Sequence, residues 1–102
     1  MTELKWQDDT GYTYLKPKAE QPVRVVSIET NGTRLIVHRL HGCDGWFMSL
    51  RDEGRTLVSD HLLTEGDDLD EAKCMALAFG IDLLAERVTQ YQDVIDKLGG
   101  MH

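Results

Sequence analysis

The sequence predicts an α+β domain, with four antiparallel strands in meander order, a fifth N-terminal edge strand as an option, and one long C-terminal helix packed on the sheet. Three features carry this. Asn31-Gly32 separates two β-branched runs, Asp52-Glu53-Gly54 separates two more, and after Gly66 the apolar period changes from two to about 3.6 with no proline from Asp67 to Leu98. A chain of 102 residues with 41% apolar and 28% charged side chains suits one compact domain, read as 1–21 lead-in, 22–63 sheet and 67–98 helix.

The lead-in contains Gly11 and Pro17 and one aromatic alternation, Tyr12, Tyr14 and Lys16, where an edge strand would fall. Pro22 opens Val23 to Thr30, and Thr33 to His41 follows the Asn-Gly turn. Both central residues of a type I′ turn need positive φ, which Asn and Gly tolerate. Pairing Thr30 with Thr33 sets Ile28 opposite Leu35 and Val26 opposite Val37 on one face. Glu29 then faces Arg34, Ser27 faces Ile36 and Val25 faces His38 on the other. The first face is core, and the second turns apolar away from the tip, so part of it should be covered. Trp46, Met48 and Leu50 alternate inward on the third strand, and Arg55 to Asp60 forms the fourth, with Gly54 left-handed in the loop between.

The helix of about 30 residues and 45 Å outruns a four-stranded sheet. Asp67 or Asp68 caps it, Glu71 completes a capping box, and Gly99-Gly100 stops it. Leu69, Ala72, Ala76, Phe79 and Leu83 form the face that packs on the sheet. A second stripe, Cys74, Leu77, Ile81, Leu84, Val88, Tyr91, Ile95 and Leu98, steps by alternating threes and fours as a coiled coil does. Residues Leu77 to Leu98 of that stripe are the candidate homodimer interface. The alternative is an intramolecular helix on a larger sheet. Gly80 interrupts the helix with a residue that costs about 1 kcal/mol against alanine and permits a bend or a close approach.

Charge is unevenly spread. Residues 1–63 hold nine acids and eight bases, net −1, whereas residues 64–102 hold nine acids and three bases, net −6, for −7 in all. Such an acidic arm repels nucleic acid and anionic lipid at long range and favours solubility or a basic partner, so double-stranded DNA is not expected to bind. The N-terminus has neither the basic start nor the apolar stretch of a secretory signal, and no apolar run approaches the roughly 18 residues of a membrane span. A cytoplasmic location with no membrane association is the expectation. Cys43 and Cys74 are too sparse for a disulfide framework and are read as reduced, Cys74 as a small packed apolar residue.

Candidate chemistry is thin. His38, His41, Cys43, Asp44, His61 and Cys74 lack the spacing of a metal site, Ser27, Ser49 and Ser59 lie outside any nucleophile elbow, and single turn glycines make no phosphate loop. No metal, cofactor or catalytic residue is assigned, and no enzyme is expected. Arg24, Arg39, Arg51 and Arg55 with Trp46 are the candidate nucleic-acid contacts of an alternative reading, Tyr14 and Phe47 being further stacking groups. Their competing role is cross-strand pairing, as Arg34 with Glu29.

Trp46 to Ala78, two strands running into Gly66-Asp67-Asp68-Leu69-Asp70-Glu71-Ala72, resembles the β-β-β-α core of HicB-like antitoxins over about a third of the chain. Ser59-Asp60-His61-Leu62-Leu63 stands where that family has a proline-rich loop, and no DNA-binding tail follows, so the family is not assigned. Small phage and mobile-element proteins, including some anti-CRISPR proteins, are similar in pattern, and an acidic surface suits an inhibitor that occupies a basic nucleic-acid channel. The expected function is a non-catalytic interaction module acting as a homodimer. The alternative is a regulator or inhibitor of a nucleic-acid-handling system, acting through the sheet arginines or the acidic helix.

Overall fold

A computed structural model describes residues 4–12, 14–16 and 21–101. The readings that touch residues 1–3, 13, 17–20 and 102 lie outside the described residues. Five antiparallel strands run in the order β1 (Gln7–Asp8), β2 (Val25–Thr30), β3 (Thr33–His38), β4 (Trp46–Asp52) and β5 (Arg55–Thr64), each beside its neighbour in sequence. One helix, α1 (Leu69–Gly99), packs across β3, β4 and β5.

The β2–β3 register is the predicted one, Thr30 with Thr33 through Val25 with His38. Its turn has φ of 52° at Asn31 and 82° at Gly32, the left-handed pair that type I′ requires. The second hairpin repeats this device, with Asp52 paired to Arg55 and φ of 49° and 83° at Glu53 and Gly54.

Two strands depart from the reading. The edge strand is Gln7–Asp8, not the Tyr12 to Lys16 alternation. Side-chain polarity places it: the Thr10 hydroxyl accepts from the backbone N–H of Arg24 and Val25 at 2.9 and 3.1 Å, while Asp9 accepts from Ser27 Oγ and from Arg34 Nη2. Apolar periodicity cannot report such an anchor. The last strand runs to Thr64 and not to Asp60, because bulges absorb extra residues without ending it. Ser59 and Asp60 together face Ser49, Asp60 has a φ of 53°, and its N–H donates to Ser49 Oγ.

On the helix side of the sheet Val26, Leu35, Val37, Trp46, Met48, Leu50 and Leu63 meet Ala72 and Ala76. Leu69, Phe79, Leu83 and Leu84 close the flanks of this core. Small residues at 72, 76 and 80 let the backbone of α1 approach closely, and Gly80 faces the methyls of Leu35. The cap is Asp68, whose carboxylate accepts from the N–H groups of Asp70 and Glu71, so the helix begins two residues after the predicted start. Its end differs as well, since Gly100 at φ −83° is right-handed and makes no left-handed cap.

From Val88 to Met101 every residue is exposed. This half of α1 leaves the domain and stretches the molecule to 65 × 29 × 23 Å. The radius of gyration is accordingly 17.1 Å, where a compact chain of this length has about 13 Å.

Candidate interaction surface

A helix that touches its own domain only as far as Leu84 keeps its far half folded on α-helical hydrogen bonds and short side-chain pairs. Lys97 lies 2.9 Å from Asp93, Gln92 donates to Asp96 at 3.0 Å, and Arg87 donates to the Tyr91 hydroxyl at 3.1 Å while lying over its ring. Each contributes only a few tenths of a kcal/mol. Such a segment carries no apolar stripe for its own sake.

A stripe is nonetheless there. Ile81, Val88, Ile95 and Leu98 are 64, 66, 60 and 62% exposed, and Leu77 and Tyr91 lie with them. The alternative of an intramolecular helix on a larger sheet therefore fails for everything beyond Leu84. Leu84 itself is half-buried against the core, so its role is divided between its own domain and the stripe. Cys74 is exposed and does not pack as predicted, because α1 turns it away from the sheet. Val94 and Met101, also exposed, widen the stripe on one side. Val94 lies three residues after Tyr91 and Met101 three after Leu98, the one-turn spacing that signals a shared side of the helix.

The upper half of the stripe forms one wall of a shallow apolar groove. Leu4, Ile28 and Leu35 form the facing wall, Leu77, Gly80, Ile81 and Leu84 the near one, around a space of about 140 Å³. The hairpin register already set Ile28 on the face of Leu35, but no spacing rule reaches Leu4.

The arginine surface is not assembled. Arg24 and Arg39 stand at one end of the sheet, joined by the bond from Arg39 N–H to the Arg24 carbonyl, whereas Arg51 and Arg55 flank the hairpin tips at the other. Six-residue strands separate them by about 20 Å. Trp46 is only 2% exposed, with its indole N–H donated to the Asp67 carbonyl, so it offers no ring for a base to stack on. Phe47 is buried too, and Tyr14 is exposed. Arg34 pairs with Asp9 at 2.7 Å and not with Glu29, its neighbour in register.

Comparison with protein-family models, curated proteins and solved structures finds no match. What the surface can do must therefore come from its own chemistry.

One polar cluster escaped the sequence reading. On the helix-free face, His38 Nε2 lies 3.0 Å from Ser49 Oγ and 3.3 Å from Asp60 Oδ1, while Nδ1 is 3.1 Å from the Arg39 carbonyl. In a catalytic triad the carboxylate meets the imidazole nitrogen that does not face the nucleophile. Here serine and aspartate share one nitrogen, and the cluster pins the β5 bulge. His61 stacks on Phe79 at 4.4 Å, and His41, Cys43 and Asp44 lie exposed in the β3–β4 connection. Among the described residues no three His, Cys, Asp or Glu side chains come together as metal ligands, and no helix is long and apolar enough to cross a membrane.

Proposed function

We propose that this chain is a small acidic protein-interaction module, not an enzyme, that works as a homodimer through the projecting half of α1. The observation that supports it is an apolar stripe that continues from Leu77 and Ile81 beside the sheet onto a fully exposed helix segment, Val88 to Met101. Leu77, Ile81, Val88, Tyr91, Val94, Ile95, Leu98 and Met101 are between 37 and 74% exposed along one helix. Surfaces of this apolarity are uncommon on monomers. The net charge of −7 argues against duplex DNA as the partner.

Light scattering at micromolar concentration tests the reading. The native chain should run as a dimer, and Val88→Asp or Leu98→Asp should run as a monomer with its sheet intact, since neither side chain touches the core. Leu84→Asp should instead unfold the domain. A native chain that scatters as a monomer overturns the proposal.

A further inference from the structure

The groove and the projecting helix are complementary, and from this we infer that the dimer is antiparallel. The C-terminal half of each α1 then lies in the partner's groove, with the partner's Leu98 beside Ile81 and the partner's Ile95 beside Leu84. This rests on the homodimer reading above and adds its orientation and its second contact surface.

The stripe has two unlike halves. Leu77, Ile81 and Leu84 sit at the floor edge of a groove whose other wall is Leu4, Ile28 and Leu35, whereas Val88 to Met101 is a bare helix. The segment up to Leu84 is flanked by its own sheet, whereas Val88 to Met101 is free to lie along the rim of the partner's groove. Only an antiparallel pair sets the bare half of one copy against the grooved half of the other, twice, about an axis between Val88 and Tyr91. The 140 Å³ space is close to the volume that accepts one benzene-sized group, which suits the single side chain of Leu98. Gly80 lines the same space on the side that faces Leu35.

Charge agrees. In this pairing the acids Asp67, Asp68, Asp70 and Glu71 of the two copies stand about 60 Å apart along the axis. A parallel pair would bring the two acidic helix starts side by side, about a Debye length apart in ordinary salt. Ile81, Val88 and Ile95 alternating with Leu84, Tyr91 and Leu98 suit a two-stranded seam of either direction, so the groove and the charges decide it.

Spin labels read the orientation directly. In a chain carrying Cys43→Ser and Cys74→Ser, a label is placed at Gln90→Cys or at Lys97→Cys, both on the outer side of the helix and seven residues apart. In a parallel dimer the two positions report the same interprotomer distance. In the antiparallel dimer the Gln90 labels lie nearly level, while the Lys97 labels are offset by about 22 Å along the axis and read about 10 Å longer. Equal distances would overturn the orientation and leave the homodimer standing. No dipolar coupling at either position, meaning a monomer or a different partner on this face, would overturn both.

Discussion

The guanidinium of Arg39 lies 4.0 Å above the ring of Trp46, and its Nη1 donates to the carbonyl of Gly45 at 2.8 Å. Nη2 reaches Asp67 at 2.5 Å, while the indole N–H of Trp46 donates to the carbonyl of the same residue. Arginine and tryptophan thus tie the β3–β4 connection to the lead-in of α1. Arg39→Ala should lower stability by about 1–2 kcal/mol through the lost stacking and the unpaired carbonyl. The ion pair adds little, because the Asp67 side chain is 92% exposed. Arg39→Lys should recover less than half, since an ammonium cannot stack flat and fork at once. Urea unfolding checks this, and a lysine variant as stable as the parent would remove the stacking argument.

Two buried glycines should respond in opposite directions. A Cβ on Gly45, at φ 95°, would stand 2.2 Å from the Thr64 carbonyl oxygen, a backbone atom that cannot yield without breaking the β4–β5 pair. Gly45→Ala should cost about 3 kcal/mol or more and unfold much of the population. At Gly80 the nearest atoms to a new Cβ are the Leu35 methyls at 3.7 and 3.8 Å, an ordinary contact. Gly80→Ala should raise protomer stability by up to about 1 kcal/mol through helix propensity. Melting temperatures measured at concentrations where the chain is monomeric separate the two, and a destabilised Gly80→Ala protomer would contradict this packing.

Acid should loosen the β1 edge through Asp9. Hydrogen bonds from Ser27 and then Arg34 hold its carboxyl below the ordinary value of 3.8, against a smaller penalty from burial. The unfolded chain therefore takes up this proton first as pH falls. The stability Asp9 supplies is complete above about pH 5 and is lost as pH drops through the depressed folded value. In urea titrations the gap between the parent and Asp9→Asn should be constant from pH 7 to about 5 and should close below about 4. A gap that does not narrow in acid would mean that Asp9 is not held by these partners.

Neighbour-to-neighbour geometry was legible in the sequence because it depends on few residues. Asn31-Gly32 dictated a turn, the turn dictated the register from Thr30–Thr33 to Val25–His38, and the register sorted Ile28, Leu35, Val26 and Val37 onto one face. Asp68 with Gly66 before it started α1, and proline-free periodicity carried the helix to Gly99. What lay beyond reach needed contacts between segments far apart in the chain. Asp9 took Arg34 from Glu29 because the fold laid residue 9 beside residue 27, and polar anchors of this kind leave no periodic trace. One extra residue in the Ser59–Asp60 bulge broke the alternation that marks a strand, although the ladder resumed beyond it. The sequence also held two apolar helix faces without saying how far each is covered. Only the packed sheet decided that, because its width limits burial to Leu84 and leaves Val88 to Met101 in water, where covering apolar surface is favourable.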